Sequence, residues 1–131
     1  MVLDTSALLA ILLGEPEAAR MVEALAAAPS RAVGAPTLVE AAAVLQARKG
    51  AAGEVALDAL LQRLGITVVA MEPAAAAHAR AAYMRYGRGV GDPGVLNYGD
   101  CLAYGVARAR GEPLLFKGDD FPRTDIAAAP Y

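Results

Sequence analysis

A chain of 131 residues, 56% of them hydrophobic, with 12 basic and 14 acidic side chains, suits one compact domain built on one core. The formal charge of −2 excludes bulk attraction to nucleic acid, so any chemistry on nucleic acid needs its acids gathered around metal. The single cysteine, Cys101, excludes an internal disulfide and a cysteine-cluster zinc site, and no apolar run reaches the ~20 residues that cross a bilayer.

Met1-Val2-Leu3 is a short apolar run ending in Asp4-Thr5-Ser6, three helix-starting residues. A strand therefore passes directly into a helix from Ala7 to Leu13. Asp4 also stands where a secretion signal would carry basic charge, so a cytoplasmic protein is expected. Glu15-Pro16-Glu17 opens a second helix to about Ala28, with acids beside the positive end of the dipole. Arg31 to Ala35 is a second, short strand. Pro36-Thr37 starts a third helix through Lys49, Gly50 stops it, and Ala51 to Leu64 forms a fourth helix closed by Gly65. The β-branched run Ile66 to Ala70 predicts a buried strand. Pro73 to Tyr86 is a fifth helix, the glycine-rich Gly87 to Gly94 a loop, and Asn97 to Arg110 a sixth helix stopped by Gly111. Leu114 to Phe116 is a fourth strand, with a fifth expected around Ile126. This alternation predicts one α/β domain over residues 1–131, with a mainly parallel sheet of four or five strands flanked by helices. Ligands of such sheets bind beyond the carboxyl ends of the strands.

Asp4, Glu40 and the pair Asp119-Asp120 follow strand candidates, and Asp100 opens a helix that faces the same edge. Each acid also has an ordinary structural explanation. Asp4 fits an N-cap, Thr37 to Glu40 and Asn97 to Asp100 fit capping boxes, and Asp119-Asp120 fits a solvated turn. The functional explanation rests on convergence. A phosphodiester nuclease gathers carboxylates from several segments, to hold hard cations such as magnesium or manganese and orient an attacking water.

Four motifs carry a family resemblance. Met1-Val2-Leu3-Asp4-Thr5-Ser6-Ala7-Leu8 is similar to the start of the VapC toxins, which are PIN-domain ribonucleases. Pro36-Thr37-Leu38-Val39-Glu40 resembles their second acidic motif, Leu96 to Gly105 the third, and Leu114 to Phe121 with Thr124-Asp125-Ile126 the fourth. The resemblance runs from Met1 to about Ile126 and implies a PIN-domain three-layer sandwich. It implies a magnesium-dependent endoribonuclease, with manganese as a possible substitute, that hydrolyses RNA and is silenced by a VapB antitoxin. It also implies a homodimer. By that resemblance Asp4, Glu40, Asp100 and Asp120 are the catalytic acids, and Asp4 and Asp100 bind metal directly. Adjacent Asp119 reaches for the same space as Asp120. Phe116 departs from the pattern, because the family usually carries threonine or serine just after the fourth strand.

The lone histidine, His78, sits among alanines in mid-helix, which leaves proton transfer to carboxylates and water. Gly87 to Gly91 lacks the strand that a dinucleotide fingerprint requires in front of it. Arg85, Tyr86 and Arg88 beside that glycine loop offer phosphate and stacking contacts to RNA. The rival function is a non-catalytic PIN-like module that only binds a partner. Retention of all four acids argues against that module.

Overall fold

The four strands of this computed structural model, which describes residues 1–131, are all parallel and only two or three residues long. They are β1 (Val2–Leu3), β2 (Ala32–Gly34), β3 (Thr67–Val69) and β4 (Leu114–Leu115), in the spatial order β3-β2-β1-β4. Register pairs Leu3 with Val33 on one side and with Leu115 on the other. The helices are α1 (Thr5–Leu12), α2 (Ala18–Ala27), α3 (Ala35–Lys49), α4 (Ala51–Leu64), α5 (Pro73–Tyr86) and α6 (Tyr98–Arg110).

Side chains of adjacent strand residues point to opposite faces, so the sheet feeds two cores rather than one. Leu3, Val33 and Leu115 pack under α1 to α4, with Leu8, Met21, Leu25, Leu45 and Leu57. Val2, Leu114 and Phe116 pack under α5 and α6, with Ala82, Leu96, Cys101 and Val106. This is the three-layer arrangement expected from the sequence.

Several local expectations need correction. The turn at Glu15-Pro16-Glu17 precedes α2, which starts at Ala18 without a side-chain cap. Those acids instead bind Lys117, just after β4: Lys117 Nζ pairs with Glu15 and lies 3.4 Å from Glu17. The run Ile66 to Ala70 is not a buried strand. Thr67 and Val68 are exposed because β3 ends the sheet, and β-branching encodes extended backbone without encoding central position. The fifth strand near Ile126 is a single parallel bridge, Leu114 to Ala128.

Close packing of α5 on α6 depends on Gly105. A Cβ there would lie 2.4 Å from the Ala75 carbonyl oxygen and 2.8 Å from the Ala79 Cβ. Gly105→Ala therefore forces the helices apart and costs about 1–3 kcal/mol despite the better helix propensity of alanine. Urea denaturation at neutral pH should show the loss as a lowered midpoint.

Candidate functional site

The strand order reverses between β1 and β4, since successive strands step one way from β1 and the last is laid on the opposite side. Such switch points open a crevice at the carboxyl edge. Asp4 leaves β1 there, and Asp119-Asp120 follow β4. Helix α3 leaves β2 at the same edge and carries Glu40 on its second turn. Helix α6 runs down into β4 through a short turn, so its first turn, with Asp100, also lies at this edge.

Asp4 is almost fully buried and caps α1. Its Oδ2 accepts hydrogen bonds from the Ser6 amide (2.9 Å) and the Ser6 hydroxyl (2.6 Å). The Ser6 hydroxyl accepts in turn from the Lys117 amide (2.9 Å), tying the start of α1 to the loop after β4. Burial raises the Asp4 carboxyl to about 6, against the lowering effect of the Ser6 bonds and with repulsion from Asp100 and Glu40 adding to it.

Glu40 does not form a capping box with Thr37. Helix α3 starts earlier, with Gly34 as its N-cap, and the buried Thr37 hydroxyl has no partner. Glu40 instead accepts from the Thr5 hydroxyl at Oε2 (2.9 Å) and lies directly over Gly99 in the first turn of α6. A Cβ on Gly99 would stand 2.5 and 2.6 Å from the two carboxylate oxygens.

Asp100 forms the reciprocal capping box anticipated with Asn97. Its Oδ2 accepts from the Asn97 amide (2.7 Å), while its own amide donates to the Asn97 side chain (2.8 Å). Desolvation raises the Asp100 carboxyl, and repulsion from Asp120 and Glu40 reinforces this against the Asn97 bond and the Arg88 charge. Asp120 accepts at Oδ2 from Arg88 (2.8 Å), whereas exposed Asp119 has no hydrogen-bond partner.

A common pattern emerges from the four acids. Each spends one oxygen on bonds that orient it, and each keeps a second oxygen with no protein donor. They repel one another across the crevice, yet no three of them lie close enough to form a finished metal shell. The donor set is nonetheless all carboxylate oxygen, which suits a hard divalent cation. The repulsion that raises Asp4 and Asp100 is the kind a cation relieves.

Cys101 is buried in α6, where desolvation and the neighbouring Asp100 charge push its thiol up to about 11, so it offers no thiolate nucleophile. His78 is half-buried on α5, outside this edge. Phe116 turns inward onto Phe121, their ring centroids 4.9 Å apart, and Ser6 is the hydroxyl bound to the chain after β4.

Three residues of the site were missed from the sequence as positioning groups: Thr5, Ser6 and Gly99. The Asp4-Thr5-Ser6 run signalled a helix start but not that both hydroxyls would hold acids. The glycine loop after α5 is also more constrained than its composition suggests. The Arg88 amide donates to Leu96, and the Val95 amide to Tyr86, closing the loop at its base. Within it, Gly91 passes so near the Arg85 carbonyl that a Cβ would stand 2.2 Å from the oxygen.

Residues 1–127 match the model of the PIN domain family. Ribonuclease VapC30 of Mycobacterium tuberculosis is 48% identical over 127 residues, covering 97% of this chain and 96% of that protein. The crystal structure of Mycobacterium tuberculosis VapC20, a sarcin-ricin loop cleaving toxin, superposes with a TM-score of 0.76 at 20% identity, covering 98% of each chain. VapBC2 from Rickettsia felis, solved with a DNA fragment from its promoter, gives 0.74 at 17% identity, covering 97% of this chain and 94% of that one.

Proposed function

The chain belongs to the PIN domain family, and on that footing we propose that it is the endoribonuclease toxin of a VapBC-type toxin–antitoxin pair, dependent on a divalent cation. The observation that carries this reading is the shared bonding of Asp4, Glu40, Asp100 and Asp120, each oriented through one oxygen and open at the other. A turn or cap needs only the first of those features. A site for a cation and a phosphodiester needs both. The relatives named as ribonucleases weigh against a non-catalytic binding module.

In this reading Asp4 and Asp100 hold the cation, magnesium or its substitute manganese, as the oxygen-only donor set favours. Bound there, such a cation would supply Lewis acidity toward the phosphodiester and the attacking water. Glu40, fixed by Thr5 over the start of α6, orients that water and accepts its proton. Asp120 completes the edge from the opposite wall. It has a fixed orientation and Asp119 does not, so Asp120→Ala should lower RNA cleavage at least tenfold more than Asp119→Ala. The reverse order in a cleavage assay would move the fourth acid to Asp119.

The partners in this reading are RNA, a second copy of the chain and a VapB-type antitoxin. An apolar groove of about 950 Å³ lies between α5 and α6, lined by Met71, Ala77, Met84, Tyr98 and Leu102, and offers a surface for protein contacts. Growth tests the whole reading. Expression of the wild-type chain in a bacterium should arrest growth, while Asp100→Asn should not, and co-expression of the neighbouring antitoxin gene should restore growth. Equal growth in all three cultures, with soluble protein in each, would favour the inert module.

A further inference from the structure

Carboxylates that attract a cation also repel the phosphodiester the cation is meant to act on, so the edge needs a fixed positive group of its own. The nearby basic side chains differ in how much of their charge is already committed. Lys117 is held between Glu15 and Glu17. Arg85 pairs with Asp125 at 3.2 Å and lies 4.9 Å over the face of Tyr86. Arg88 is held in a different way. Its Nε donates to the Val95 carbonyl (2.8 Å) and its Nη2 to Asp120 (2.8 Å), and its charge acts on Asp100. A guanidinium carries five N–H donors, so these two bonds leave about three free. The side chain remains 58% exposed, and its root sits in the closed loop between α5 and α6.

We propose that Arg88 binds a backbone phosphate of the RNA at this edge through the donors that its bonds to Val95 and Asp120 leave free. The inference rests on the ribonuclease reading above and assigns the substrate contact that the acids themselves cannot make. The Val95 carbonyl presets the plane of the guanidinium, and the planar fork matches two phosphate oxygens as an ammonium does not. The exposure of the side chain leaves those donors open to a phosphate while Asp120 keeps the bond that orients it.

The test measures RNA binding rather than turnover. A labelled single-stranded RNA is titrated with Asp4→Asn protein at constant magnesium over a range of sodium chloride, with Arg88 intact or changed to Lys or Gln. Arg88→Gln should weaken binding about tenfold at low salt, the scale of one charged hydrogen-bonded contact. It should also flatten the log–log salt dependence by about 0.7, the release expected from one phosphate on a single strand. Arg88→Lys should keep the slope while binding less tightly. Identical slopes for all three proteins would overturn the proposal, and a lowered melting temperature in Arg88→Gln without a change in slope would make Arg88 a loop clamp instead. Failure of the parent protein to bind RNA also overturns it. Magnesium-dependent cleavage by the wild-type chain decides the ribonuclease reading separately.

Discussion

Asp4→Asn is expected to stop RNA cleavage and, at neutral pH without metal, to make the protein more stable. Asparagine caps a helix about as well as aspartate and still accepts from the Ser6 amide, so α1 keeps its start. What disappears is a buried charge. Folding raises the Asp4 carboxyl from 3.8 to about 6, so ionisation opposes folding. Below pH 3.8 the group is protonated in both states and imposes no cost. The cost grows as pH rises from about 4 to 6, and above 6 it reaches about 3 kcal/mol. The stability difference between variant and wild type should therefore be flat below pH 4, climb, and level off above 6. Denaturant titrations at several pH values in EDTA measure it directly. A difference that does not change with pH would mean that Asp4 is not held as a strained anion. Cleavage should fall roughly thousandfold or more, the scale of losing a group that acts on developing charge.

Gly99→Ala should separate folding from function by a different route. The nearest atoms to the new methyl group are the end of the Glu40 side chain, which can swing aside. Alanine favours the helix over glycine by up to about 1 kcal/mol, and the lost Thr5 bond costs a similar amount. Thermal stability should thus stay within about 1 kcal/mol of wild type. Activity should drop at least tenfold, because Glu40 leaves its place over the first turn of α6. A fully active Gly99→Ala protein would remove Glu40 from the mechanism. The contrast with Gly105→Ala is instructive, since there the obstacle is the Ala75 carbonyl and the helices themselves must move.

Local chemistry made most of the elements legible. Gly65 and Gly111 take the left-handed conformation as helix stops, and the Asn97-Asp100 pair forms its capping box as the spacing suggested. Nearest-neighbour signals of this kind are encoded within a few residues. The misjudged features depend on residues far apart in the chain. The hydrogen bond that orients Glu40 comes from Thr5, 35 residues away, so its own neighbours pointed to the wrong partner, Thr37. The exposure of Val68 follows from the position of β3 at the end of the sheet, which β-branching cannot specify. The acids themselves stood out because the family motifs mark them. Their supporting residues, Thr5, Ser6 and Gly99, are small and individually ordinary, and only the folded arrangement gives them a task.

The alternation of β1 has a consequence for how damage spreads. Val2 is rooted in the layer under α5 and α6, Leu3 in the layer under α1 to α4, and Asp4 is the next residue along. The first acid is thus moored from both sides of the sheet at once. A void opened in either layer loosens one of the two moorings and shifts the carboxylate before the domain comes apart. Interior substitutions remote from the crevice should accordingly show themselves first as lost turnover, while the molecule still melts as a single unit.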